Sequence, residues 1–283
     1  PWFRLLDNPK KITPAALNLG ITHAKGAVIV RMDAHVEYPA DYISSLVRLL
    51  QESGADNVGG VCRTLPANGT ALARAIAFGM SHPLGVGNSY FRIGSAEPRW
   101  VDTVPFGCYR REVFERIGLF DEQLVRNQDD ELNFRLIKQG GRIRLSPKIV
   151  CRYYARESLG KLWRMYYQYG YFKPLVVRKV RVMTLRQLAP PALVLGLLIT
   201  GALAPWSRLA AGAFAAIVLT YAATIATCAA GAVGKVGVAA AALFAVIPVL
   251  HLSYGLGYLQ GVWKVLACRH GRPGDATVIP ISR

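Results

Sequence analysis

Hydrophobic positions fall into two regimes along the chain. Up to residue 186, short apolar runs alternate with polar, glycine-bearing and proline-bearing stretches; from 187 to 263 apolar residues are nearly continuous. Within the first regime, residues 27–32 (AVIVRM) form a β-branched run between Lys25-Gly26 and Asp33-Ala34-His35. That pattern predicts a buried strand whose C-terminal end presents Asp33. Pro39 then opens a helix through Glu52, with Tyr42, Leu46, Leu49 and Leu50 on one face, and Gly54 ends it. A strand over 57–65, a helix near 70–78, a glycine-rich loop at 85–88 and a strand near 100–104 follow. Helices over 111–117 and 129–139 and a strand over 142–145 close the series. Strands alternating with helices imply an α/β sheet, parallel at least in part.

The second regime has 21 uncharged residues between Arg186 and Arg208, 26 between Arg208 and Lys235, and 28 between Lys235 and Lys264. About 20 apolar residues cross a bilayer core, so three spans fit, near 187–207, 209–234 and 236–263. Pro190 and Pro191 make the first the weakest, although neighbouring helices can compensate for proline in a membrane. The composition agrees: 52% of residues are hydrophobic, 18% are charged, and the mean hydropathy is +0.26.

A net charge of +17 invites a nucleic-acid reading, but its placement argues against one. Residues 142–186 hold twelve Lys and Arg against the single acid Glu157, immediately before the first apolar stretch. Such a block is what the positive-inside rule places on the cytoplasmic face of a membrane. In 156–172, Leu159, Leu162, Trp163, Tyr166 and Tyr167 share a stripe with Lys161 and Arg164 beside it, which fits an interfacial amphipathic helix. Packing of the same stripe on the protein's own core is the alternative. With 1–186 inside, three spans put the tail 265–283 outside, yet Lys264 just before it and Arg269, Arg272 and Arg283 within it, against Asp275, favour the inside. Making 187–207 re-entrant or interfacial would reconcile the two with two spans. The five cysteines, Cys62, Cys108, Cys151, Cys228 and Cys268, form no CxxC pair, as expected of reduced thiols. No signal peptide is visible, and the sequence starts at Pro1 without a methionine, as expected of a truncated or processed start.

Two constellations could carry chemistry. Asp33 and His35, one residue apart at a strand end, can both turn toward a cation. Oxygen plus imidazole suits Mn²⁺, with Mg²⁺ possible. Asn127-Gln128-Asp129-Asp130-Glu131-Leu132, with Arg135 following, sets three acids at a helix start. The helix dipole explains one or two of them and also keeps a carboxylate ionised, as a general base for a sugar hydroxyl requires.

The order NPKKITPAALNLGITHAKGAVIVRMDAH, VPFGCYRREVFERIGLFDE, RNQDDELNFRLIKQGG resembles the inverting glycosyltransferases of family 2, in their bacterial exopolysaccharide, succinoglycan glucosyltransferase type. The resemblance covers about residues 5–175. It implies a GT-A (Rossmann-like) mixed α/β sheet with flanking helices over 1–155, a basic interfacial segment at 156–186, an all-α transmembrane region at 187–264 and the tail. It places Asp33 first in the family's metal-binding D-x-D and His35 where the second aspartate stands. Aligning Leu132 and Arg135 with the family's E-D-x-D/E-L-x-x-R puts the catalytic base at Asp129, and a one-residue shift would exchange it with Asp130. Donor binding falls to Asp7, Asn18, Arg31 and Asp33, and the acceptor side to Phe106, Gly107, Cys108, Glu131 and Arg135, with His82 and the 85–88 loop. The family also begins with a strand–helix–strand for the nucleotide base. Residues 1–26 are too few for it, so the sequence is expected to lack that part. The implied activity is transfer of a hexose, by resemblance glucose from UDP-glucose, to a lipid-linked or polysaccharide acceptor with a divalent cation. The implied place is the cytoplasmic membrane, with the catalytic domain facing the cytoplasm. A processive polysaccharide synthase, disfavoured by the lack of Q-x-x-R-W, and a non-catalytic membrane assembly or transport subunit are the alternatives.

Overall fold

The structure is a computed structural model that describes residues 3–267. The expectations for the tail beyond Ala267, including the side reached by Arg283, lie outside the described residues. Along the chain run α1 (Thr13–His23), β1 (Val28–Val30), β2 (Val36–Glu37), α2 (Tyr42–Ser53), β3 (Asn57–Leu65), α3 (Ala71–Gly79), α4 (Pro83–Val86) and α5 (Tyr90–Ile93). Then come β4 (Arg99–Trp100), β5 (Cys108–Arg110), α6 (Arg111–Ile117), α7 (Gln128–Lys138), β6 (Ile143–Tyr154) and α8 (Leu159–Val180). Helices α9 (Leu185–Leu203), α10 (Arg208–Val236) and α11 (Leu243–Ala267) complete the series, with a 3₁₀ turn at Gly237–Ala242. The chain divides into two compact units.

One unit takes the chain up to Arg63, Ser89–Tyr153 and Lys179–Val182. Its sheet has the order β1-β5-β3-β6-β2, with β4 also on β6. Strand β5 runs antiparallel to both β1 and β3, as Val30 opposite Cys108 and Val58 opposite Cys108 show. Thus β1 and β3 share a direction without touching, and the bonds from Asp56 N–H to the Arg142 carbonyl and from Ala155 N–H to the Leu65 carbonyl run β6 beside β3 in the same direction, so the sheet is mixed as expected. The short β2 and β4 pair antiparallel with β6. Val104, Tyr109, Val113, Phe114, Ile117, Leu132, Leu136, Ile143 and Leu145 form one apolar core that unites α6, α7 and the strands. Of the expected face of α2, Tyr42, Leu46 and Leu50 are buried and Leu49 is partly buried, and Gly54 in the left-handed region (φ 61°) stops that helix.

The sequence pattern missed β2 and β5, which are too short to show a period. Strand β4 is two residues where 100–104 was expected, and 101–104 continues as loop. Strand β6 reaches Tyr154 rather than Leu145, because Ile149, Cys151 and Tyr153 point inward beyond Pro147.

The second unit holds Thr64–Asn88, Tyr154–Arg178 and the chain from Met183 on. It therefore includes α3 and α4 as well as the apolar helices. Glycines let its helices approach closely. A Cβ at Gly79 would meet Val246, and one at Gly257 would meet the backbone of Tyr167 and Tyr171. Leu162 and Tyr166, from the stripe read as interfacial, are buried within this unit, and Tyr167 bonds Gln260. Leu185–Leu203 and Arg208–Ala267 are long and apolar enough to cross a membrane, and only 17% and 33% of their most apolar windows are buried. Helix α9 runs through Pro190 and Pro191, with Gln187 Oε1 accepting the Thr184 N–H near its start (3.3 Å).

Gly60 on β3 faces the main chain of β6, where an added Cβ would stand 2.8 Å from the Ile149 carbonyl carbon. We expect Gly60→Val to destabilise the sheet by about 1–3 kcal/mol, read as a lowered Tm of the detergent-solubilised protein. An unchanged Tm would mean that β6 moves freely.

Candidate active site

Strand β1 ends at Val30, and the next residue supplies the centre of the site. The Arg31 N–H donates to the Gly107 carbonyl (3.0 Å), which fixes its main chain beside the loop leading into β5. The Arg31 side chain is only 9% exposed, and a buried guanidinium needs charged or strongly accepting partners. It has two. Its Nε and Nη2 donate to the two carboxylate oxygens of Asp33 (3.1 and 3.2 Å), and its Nη1 donates to Asp129 Oδ1. This fork-to-fork geometry is one that lysine cannot reproduce. Burial works against the Arg31 charge, but Asp129 and then Asp33 overcome it and hold the pKa above the usual arginine value.

Asp33 is positioned by a tight turn. Val36 N–H donates to its carbonyl (3.3 Å), and its own N–H donates to the Tyr38 hydroxyl oxygen (2.8 Å). Burial pushes the Tyr38 hydroxyl up to about 12, so it keeps its proton at neutral pH. The Tyr38 ring packs on Tyr42 and edge-on to Phe106, and the Arg31 guanidinium lies 5.8 Å from the Phe106 centroid. Phe106 itself sits at φ 48°, a left-handed conformation that a bulky residue adopts only when its surroundings impose it.

Asp129 comes from the first turn of α7, just after Asn127, which is also left-handed (φ 60°). Its side chain is 34% exposed, so one part meets Arg31 while another is open to solvent. Burial raises its pKa, Arg31 pulls the other way, and Asp33 and Asp130 add to the rise. Asp130 is half-buried on the same turn.

Other expected residues stand elsewhere. Glu131 grips Arg135 through two 2.8 Å bonds, and Arg135 donates to the carbonyls of Ile117 and Leu119, a clamp between α7 and the turn after α6. Asn18 on α1 exchanges two 2.9 Å bonds with the Phe120 main chain, and Asp7 is exposed before α1. Cys108 is fully buried, and burial pushes its thiol up to about 12. Gly107 leaves room for the protein's own side chains, since a Cβ there would stand 2.5 Å from Asn57 Oδ1 and from the Tyr109 ring. His82 and the 85–88 loop belong to the helical unit, where Leu84 N–H donates to His82 Nδ1 (3.2 Å) and the Leu84 carbonyl meets His251 Nε2 (2.8 Å).

His35 is exposed and edge-on to Tyr153, over whose ring the Arg92 guanidinium also lies (5.6 Å). No group of three or more His, Cys, Asp or Glu among the described residues could hold a metal. The donor set still fits a hard cation of the kind bound by one or two protein groups together with substrate phosphates and water. Asp33, whose oxygens also meet Arg31, and the exposed His35 two residues on would be those groups. Nothing in the chain's pattern pointed to Tyr38 and Arg92, whose parts depend on the folded turn.

The sequence profile described as glycosyl transferase family 2 matches residues 3–118. Over that stretch the chain is similar to glycosyl transferase family 2. The chain is 36% identical over 195 residues to the succinoglycan biosynthesis protein ExoA of Rhizobium meliloti (strain 1021), covering 68% of this chain and 58% of the relative. It is 29% identical over 182 residues to a Methanococcus voltae protein, the dolichyl N-acetyl-alpha-D-glucosaminyl phosphate 3-beta-D-2,3-diacetamido-2,3-dideoxy-beta-D-glucuronosyltransferase, covering 62% of this chain and 56% of the relative. The chain thus spans under three-fifths of the length of these curated relatives. A solved mannosyltransferase, PcManGT from Pyrobaculum calidifontis in complex with GDP-Man and Mn²⁺, superposes with a TM-score of 0.51 at 20% identity, over 90% of this chain and 67% of its own. That likeness shows the fold, the GT-A arrangement expected of a family-2 domain.

Gly107 couples Arg31 to the core. Gly107→Ala should therefore lower the Tm by several degrees, as expected for about 1–3 kcal/mol of overpacking, in a thermal melt of the full chain. An unshifted melt would show that Asn57 and Tyr109 yield without loss.

Proposed function

We propose that the protein is an inverting glycosyltransferase that moves a hexose from a nucleotide sugar to a lipid-linked or polysaccharide acceptor in exopolysaccharide or cell-surface glycan synthesis. The resemblance to the succinoglycan type favours UDP-glucose as donor. The observation that carries the reading is Asp129, partly open to solvent and tied by Arg31 to Asp33 at the end of β1. In open α/β sheets substrates bind beyond such strand ends.

Asp129 takes the proton of an acceptor hydroxyl as that oxygen attacks the anomeric carbon. The new C–O bond forms on the face opposite the diphosphate, the old C–O bond breaks, and its electron pair leaves with the nucleoside diphosphate. The anomeric configuration inverts. Arg31 orients Asp129 and Asp33 and contributes a fixed positive charge close to where negative charge grows. A divalent cation, Mn²⁺ or Mg²⁺, held by Asp33 with His35 beside it, supplies Lewis-acid stabilisation of the departing diphosphate when bound. The two apolar helical stretches, the basic residues before them and the cytoplasmic origin of nucleotide sugars support attachment to the cytoplasmic membrane, with the catalytic domain inside.

Radiolabelled nucleotide sugars offered to membranes carrying the protein test this reading. Asp129→Asn should reduce turnover by about 10²–10⁴-fold while donor affinity stays near that of the unmodified protein. No transfer from any nucleotide sugar would favour a non-catalytic assembly role. The base works deprotonated and burial raises its pKa, so the acid limb of kcat/KM should lie above the ordinary aspartate value of about 3.9. Removing the opposing charge with Arg31→Gln should move that limb to still higher pH. A limb that does not move would take Asp129 out of the base role.

A further inference from the structure

Beneath the site, four polar side chains lie out of solvent among the apolar residues that pack α7 on the sheet. They are Asn57 on β3, Asn133 on α7, Tyr109 on β5 and Thr103 in the loop before β5. Asn57 Nδ2 donates to Asn133 Oδ1 (2.9 Å), and Asn133 Nδ2 donates to Thr103 Oγ1 (2.9 Å). The Tyr109 hydroxyl donates to Asn133 Oδ1 at 3.5 Å, a longer contact. Asn133 is the hub, with no solvent exposure. Apolar side chains would hold α7 to the sheet by area alone, which leaves sliding and rotation cheap. Buried hydrogen bonds are directional, and leaving one unmade costs about 1–3 kcal/mol. They therefore select a single height and rotation of the helix.

We propose that Asn133 is a positioning residue for Asp129, an inference that rests on the base assignment above. The two residues are four apart on α7 and so share one helical face. The contacts also close a ring. Arg31 N–H bonds the Gly107 carbonyl, and Gly107 packs against Asn57 and Tyr109 without room for a Cβ. Asn57 and Tyr109 bond Asn133, one turn along α7 from Asp129, and Asp129 returns to the Arg31 guanidinium. Arg31 and Asp129 are thus set against one another twice, once directly and once through the core. A shift of α7 by about 1 Å is enough to cost on the order of 10²-fold in a reaction that depends on alignment.

The test is a double-mutant cycle on the full-length membrane protein, with kcat and donor KM measured for Asn133→Leu, Asp129→Asn and the double variant. Leucine matches asparagine in size and removes the hydrogen bonds. Asn133→Leu should lower kcat about 10- to 100-fold with donor KM nearly unchanged. Because it acts through Asp129, the double variant should be no slower than Asp129→Asn alone. Losses that multiply, or an Asn133→Leu kcat equal to that of the unmodified protein, would overturn the proposal. If Asn133→Leu does not fold, Thr103→Val, which removes only the acceptor at the end of the chain, carries the same expectation through the same cycle. Undiminished turnover in Asp129→Asn sinks the base assignment itself. A slow Asp129→Asn with multiplying losses sinks only the positioning role.

Discussion

Two carboxylates from residues 96 positions apart in sequence, Asp33 and Asp129, stand at one place only because a guanidinium lies between them. Without it they would repel, and desolvation would favour protonating one of them. The dependence also runs the other way. Burying the Arg31 charge without its acids would be costly, so strand end, turn and helix start depend on one another. Strand β1 has three residues and could not hold such a position by its own pairing. Its antiparallel register with β5, extended by the bond from Arg31 to Gly107, supplies the missing rigidity.

The cluster is flanked by two non-glycine residues in the left-handed region, Phe106 beneath the guanidinium and Asn127 before α7. Asparagine tolerates that conformation well. Phenylalanine does not, and its cost is on the order of 1–2 kcal/mol. Phe106 is kept there by Tyr38 against its ring, by the Arg31 guanidinium and by its own burial. One backbone irregularity therefore serves two ends. It turns an aromatic face toward the cation, and it brings the next residue, Gly107, against Asn57 and Tyr109.

Much of this was legible in the sequence where pattern is long and local. The face of α2, the β3 run over 57–65 and α6 over 111–117 were read with their residues, and the acids opening α7 stood out. Strand β6 was cut short because Val150 and Tyr154 are apolar yet face outward, which hides an alternation that burial makes plain. Asp33 was legible as a strand-end acid, whereas the tie from Arg31 to Asp129 was not, since no local period links positions 98 apart. Glu131 and Arg135 show the converse. Their spacing suggested chemistry, and the fold turns them onto each other and onto the carbonyls of Ile117 and Leu119. The resemblance put Gly107 on the acceptor side, while the structure packs it against a buried asparagine and tyrosine.

The histidine at 35, where the related family carries a second aspartate, acquires a physical reason from the same cluster. Asp33 and Asp129 with Arg31 between them carry a net single negative charge. A carboxylate at 35 would double it beside an acid whose pKa burial already raises, and like charges push such values further up. An imidazole offers a nitrogen ligand without adding a negative charge to that repulsion. Exposed and resting only against the edge of Tyr153, His35 is free of the ion pairs that hold Asp33 in place. The turn thus separates two features that a second aspartate would have combined: Asp33 balances the buried charge, and His35 is exposed to solvent.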